Sequence, residues 1–148
     1  MSKQTELPGF YEKRKTLFGR KTAPEKMLQT GRVFMDAGRY DDALEFFERC
    51  EAADLVRQIA ATAMRAGDTS LYMRAKKVLK EDTSHEEWTQ LAANAEQAGK
   101  HTMAYLAHLK AGHEQEAARL RRLAQGLSGP EPPAPAGPPE GAEQAKGD

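Results

Sequence analysis

The sequence holds a single cysteine, Cys50, among 148 residues. No intramolecular disulfide can form, which points to a reducing compartment, with the cytoplasm as the default. Proline is missing from the whole stretch between Glu25 and Gly129. No apolar run approaches the roughly 20 residues that a membrane helix needs. The segment Met1–Phe10 has no apolar core of the kind a secretory signal carries. Aromatic residues make up only 7% of the chain. Neither sign of charge prevails, with 22 basic against 22 acidic residues. A neutral total argues against a dedicated DNA binder, whose affinity comes from many phosphate contacts. Alternating strand patterns of useful length are absent too. A proline-free, strand-free middle leaves an all-α chain as the expectation.

The charge is unevenly spread, and this divides the chain. Residues 1–22 form a basic arm, 23–127 a foldable helical domain, and 128–148 a Pro/Gly/Glu-rich tail. The tail cannot bury enough apolar surface to offset its ordering entropy and is expected to be disordered, with polyproline character. Within the domain, four Ala-Gly dipeptides punctuate the text: Ala37-Gly38, Ala66-Gly67, Ala98-Gly99 and Ala111-Gly112. Glycine just beyond an apolar-periodic stretch is a common helix stop, because it takes the left-handed conformation without a Cβ penalty. Seven helices are expected between these stops. Pro24 and Glu25 suit the first turn of the first one. Leu55, Val56, Ile59, Ala60, Ala63 and Met64 form an apolar stripe with helical spacing. Ser84 with Glu87 is a capping-box pattern.

Candidate chemistry is scarce. His113-Glu114 and His85-Glu86 both lack the second histidine of a His-Glu-x-x-His zinc motif. His101 and His108 can share a helix face, but two ligands are not a site, so no metal is expected. Gly99-Lys100 has neither the first glycine nor the hydroxyl residue of a phosphate loop. Asp41-Asp42 and Glu86-Glu87 sit in first turns, where they complement the helix dipole. Neither catalysis nor a cofactor is expected.

From Gly38 to Gly67 is 29 residues, and from Gly67 to Gly99 is 32. A period near 30 made of two helices marks stacked hairpins. The residues Gly31, Phe34, Gly38, Tyr40, Ala43 and Phe47 resemble the small and aromatic positions of a tetratricopeptide repeat. Trp88-x2-Leu91-Ala92, with Gly99 and Ala104, resembles the opening of another. The stretch Trp88–Leu120 is also similar to the helical-hairpin solenoids of coatomer and intraflagellar-transport subunits. The resemblance implies a short right-handed α-solenoid of about three helical hairpins with a capping C-terminal helix. It further implies a groove lined by the first helix of each hairpin: Gln29, Arg32 and Met35, then Arg57, Gln58, Met64 and Arg65, then Gln90 and Gln97. Long polar side chains with adaptable methionines suit a partner protein or peptide.

The arm is a second candidate surface. Phe10, Arg14 and Leu17 fall on one helical stripe, Tyr11 and Phe18 on another, with Lys13 and Lys15 beside them. Such a mix can touch an anionic membrane or a nucleic acid. It can equally pack its aromatics on the first hairpin. Self-association through exposed repeat ends is the remaining possibility.

Overall fold

The computed structural model describes residues 7–19 and 22–126. The tail 128–148, for which disorder is expected, lies outside the described residues. Eight helices run through the described part: α1 (Phe10–Phe18), α2 (Pro24–Asp36), α3 (Tyr40–Arg49), α4 (Ala53–Ala66), α5 (Thr69–Leu79), α6 (His85–Gln97), α7 (His101–Ala111) and α8 (Glu114–Ala124). No strand occurs among the described residues. The chain is all-α, as the sequence predicts.

Local chemistry sets the helix ends. Pro24 stands in the first turn of α2. The Asp68 side chain accepts the Leu71 N–H at 3.0 Å and caps α5. Ser84 and Glu87 form the complete reciprocal box at the start of α6. At the stops, Gly38, Gly67, Gly99 and Gly112 all have φ between +67° and +79°. After each, the next N–H donates to the carbonyl five residues back: Arg39 to Phe34, Asp68 to Ala63, Lys100 to Ala95 and His113 to His108, each at 2.9 Å. This bond satisfies a carbonyl that the helix end would otherwise leave open. Helices α3 and α5 end the same way without glycine. Glu51 and Lys80 take φ of 55° and 56°, followed by Ala52 N–H to Phe47 at 2.9 Å and Glu81 N–H to Lys76 at 3.1 Å.

The helices pair as α2 with α3, α4 with α5 and α6 with α7, and α8 closes on α7. Successive pairs then touch through α3 and α5, α5 and α7, and α4 and α6. The main core joins Phe34, Leu44, Phe46, Phe47, Val56, Ile59 and Leu91, all fully shielded. Phe34 stacks on Phe46 with ring centroids 5.5 Å apart. Each such side chain contributes about 1.5–3 kcal/mol by leaving water. Gly31 makes room for this cluster, because a Cβ there would stand 2.6 Å from the Phe47 ring.

The contact between the second and third pairs is specified by polar groups as well as by shape. Asn94 Nδ2 donates to the Met64 carbonyl at 2.7 Å, and Lys100 Nζ to the Ala66 carbonyl at 2.8 Å. Both carbonyls belong to the last turn of α4, where intrahelical donors have run out. The buried Thr69 hydroxyl donates to the Met103 carbonyl at 2.9 Å.

Candidate functional site

The residues expected to line a groove are spread over α2, α4 and α6. Gln29, Arg32, Gln58, Arg65, Gln90 and Gln97 are exposed, and Met35 and Met64 are half-buried against the core. Helices α4 and α6 touch, and one hydrogen-bonded chain links a residue of each. Gln90 Nε2 donates to Asn94 Oδ1 at 2.8 Å, and Asn94 in turn holds the Met64 carbonyl. The backbone of α2 stays farther from α4, and the two share the core against which Met35 and Met64 both pack. Arg57 is exposed but committed elsewhere. Its guanidinium pairs with Glu81 at 2.7 Å and approaches Asp54 at 3.9 Å.

That ion pair belongs to a network joining α4, α5 and α6. Lys76 reaches both Glu81 and Glu87 at 3.2 Å, and the Tyr72 hydroxyl donates to Glu87. Burial opposes charge on Glu87, yet hydrogen bonds from Tyr72, the Ser84 N–H and Lys76 outweigh it and hold the carboxyl at about 2. Burial likewise disfavours a charged Lys76, but Glu87 and Glu81 more than compensate and raise it. Burial, then the hydrogen bond to Glu87, pushes the Tyr72 phenol upward. Three oppositely charged or donating groups on one carboxylate are the ordinary signature of a structural junction.

The arm's described part forms α1, which docks on α2 and α3. The packing of its aromatics on the first hairpin is not what is found. Leu17, 3% exposed, and Thr16 are the buried residues, while Phe10 is 76%, Tyr11 78% and Phe18 60% exposed. The side that turns inward carries Leu17 and, beside it, Lys13. Lys13 bonds Asp42 at 2.5 Å and Glu45 at 3.3 Å on α3. Arg14 lies over the rings of Phe10 and Phe18, and Arg49 of α3 covers Phe18 at 4.4 Å. Lys15 is exposed.

A third grouping was not foreseen. His108 of α7 is only 8% exposed. Its Nδ1 lies 3.1 Å from Nδ1 of His113, the residue before α8. His85, at the start of α6, meets the His113 ring edge-on at 5.4 Å. The other nitrogen, His108 Nε2, is shielded and has no hydrogen-bond partner. It faces Glu96 Oε1 at 3.8 Å. Glu96 and Glu116 share Arg119, whose Nη2 donates to Glu96 and, at 2.8 Å, to Glu116. Burial pushes His108 below the usual imidazole value, and Glu96 only partly offsets this. Spacing along one helix paired His108 with His101, but His101 is exposed at the far end of α7. The actual partners come from α6, α8 and the turn between α7 and α8.

No protein-family model, curated protein or solved structure matches the chain. No helix among the described residues is long and apolar enough to cross a membrane.

Proposed function

We propose that this protein is a non-enzymatic adaptor that holds a partner protein or peptide on the face formed by the first helices of its hairpins. In this reading α2–α3, α4–α5 and α6–α7 are tetratricopeptide-like hairpins of a short right-handed α-solenoid, and α8 caps its end. The contacts of α3 with α5 and of α5 with α7 support the stacking, because hairpins bury their apolar faces mainly on their neighbours. The observation that carries the binding reading is a set of uncommitted polar side chains. Among the described residues Gln29, Arg32, Gln58 and Gln97 are exposed and make no side-chain hydrogen bond or ion pair. Arg65 reaches only Thr62, at 3.4 Å. Such groups lose little on being handed to a partner, whereas Arg57 would first have to leave Glu81. The lone, half-buried Cys50 suits a cytoplasmic setting.

The exposed Phe10 and Tyr11 favour a second reading, contact of α1 with an anionic membrane or a nucleic acid. One experiment separates the two. Affinity capture from native lysate is run with wild type, with Arg32→Glu/Arg65→Glu, and with Phe10→Ser/Tyr11→Ser, and each variant's fold is checked by circular dichroism. Loss of a protein partner in the Arg variant alone supports the adaptor. Retention there, with loss in the aromatic variant, overturns the first-helix face and supports α1.

A further inference from the structure

The grouping around His108 does something that an ordinary buried imidazole does not. Its two ring nitrogens have opposite situations: Nδ1 has a partner at hydrogen-bond distance, and Nε2 has none although it is shut off from solvent. If His108 Nδ1–H donates to the His113 lone pair, then Nε2 is a bare lone pair aimed at a carboxylate. That contact is repulsive unless a cation stands between them. If His113 donates instead, Nε2 carries its hydrogen, and 3.8 Å to Glu96 is too long for a hydrogen bond. The first tautomer is the one found at metal sites, where a ligand imidazole donates its other N–H to a group behind it.

We propose that Glu96, His108 and Glu116 bind a first-row divalent metal ion, for which zinc, which accepts both imidazole and carboxylate ligands, is the probe. His113 is the positioning residue behind His108. One ring nitrogen of His108 and one oxygen from each carboxylate all lie within 4.8 Å of one another, and Nε2 itself stands 3.8 Å from Glu96 Oε1. A tetrahedral ion with bonds of about 2.1 Å sets its ligands about 3.4 Å apart. The separations therefore shorten by at most about 1.4 Å, and the His108–Glu96 pair by less. Glu96 is half-exposed and Glu116 exposed, so a rotamer adjustment of each carboxylate supplies the movement. His108 stays fixed by burial and by His113. Three protein ligands leave a fourth position open to water or to a group from another molecule.

Arg119 is the built-in competitor. It donates from Nε at 3.0 Å and from Nη2 at 2.8 Å to Glu116 Oε2, and from Nη2 to the same Glu96 oxygen that faces His108. Its guanidinium already serves as the cation between the two carboxylates, and its side chain is 46% exposed, so it can swing out. Arg119 and the metal ion are therefore alternative occupants of one charge position.

The test is titration of the untagged full chain with zinc by calorimetry at neutral pH, repeated with cobalt(II) to read the visible absorption of a tetrahedral site. Wild type should take up one equivalent. Glu96→Gln and Glu116→Gln, isosteric changes at partly exposed positions, should each weaken binding at least 10-fold. His113→Ala should weaken it 10- to 100-fold, the range for losing the group behind a ligand histidine. Arg119→Met should tighten it, and His101→Ala should leave it unchanged. Absence of saturable binding overturns the site. So does binding that His101→Ala removes, or binding that survives both glutamine variants. His108→Ala is informative where it folds, but the glutamine variants and Arg119→Met decide the matter without it.

Discussion

A Cβ built on Gly67 would stand 2.4 Å from both the Cα and the N of Ala95, so the end of α4 rests on the backbone of α6. Gly38 has the same left-handed turn, φ +75° against +67°, but nothing within 4 Å of its Cβ position. The two glycines thus separate two costs that the sequence presents as one. Gly38→Ala should cost only the left-handed penalty of about 1–2 kcal/mol. Gly67→Ala should cost that and, in addition, the separation of α4 from α6. Urea unfolding of both variants checks this, and equal losses at the two positions would contradict the close approach.

Thr69 binds the second hairpin to the third through one hydroxyl. It is fully buried, and its partner is the Met103 carbonyl. Thr69→Val keeps the shape but removes the second donor to a carbonyl that already sits inside α7, which should cost about 0.5–1.5 kcal/mol. Thr69→Ser retains the bond and should lose clearly less. The comparison is made from denaturation midpoints at constant m-value, and a valine variant as stable as the serine variant would rule out the bond as a contributor.

Glu87 gives the fold an acid-sensitive junction. Its folded value of about 2 lies below the ordinary 4.5, so the stability it contributes is fully present above pH 4.5 and is lost as pH falls toward 2. Lys76 is raised by the same carboxylates, so its contribution is lost with theirs in acid and, at the other end, fades as pH climbs past its ordinary 10.5. Glu87→Gln should therefore be about 1–2 kcal/mol less stable than wild type at pH 7, a figure reduced because the carboxylate is 30% exposed. The gap should close between pH 4.5 and pH 2. A gap independent of pH, measured by urea titration across that range, would show that the charge is not what matters.

Lys80 holds a left-handed φ of 56° at the end of α5, where a side chain is strained. Lys80→Gly should relieve this and raise stability by about 0.5–1 kcal/mol, the unfolded-state entropy of glycine absorbing part of the gain. Unchanged or lower thermal stability would place the strain elsewhere.

What was legible in the sequence is local. The helix ends at Gly38, Gly67, Gly99 and Gly112 could be read because the left-handed turn is written in one residue, and the Ser84–Glu87 box because it spans one turn. Glu51 and Lys80 end helices in the same geometry without that mark. The contact of Gly67 with Ala95 is tertiary and leaves no local trace. The histidine grouping was missed for a related reason: spacing along α7 suggested His101 for His108, whereas the actual neighbours lie on α6, on α8 and in the α7–α8 turn. One signal was available. His108 sits among Ala104, Ala107 and Ala111 on a helix with little polarity, where a lone imidazole needs a partner.

The docking of α1 decides whether the basic arm belongs to the domain. Only Thr16 and Leu17 are buried, and the Lys13 ion pairs with Asp42 and Glu45 are the charged attachment to α3. Leu17 contributes about 1.5–3 kcal/mol by burial, while partly exposed ion pairs contribute at most about 1 kcal/mol. Leu17→Asp should therefore release α1 and expose Lys13, Arg14 and Lys15 to trypsin, while α2–α8 stay folded. Lys13→Met should speed the same cleavage only slightly. If trypsin cuts Leu17→Asp no faster than wild type, the Leu17 contact is not what holds the helix. If Lys13→Met is the faster of the two, the attachment is electrostatic, and added salt should release α1 from the wild-type chain as well.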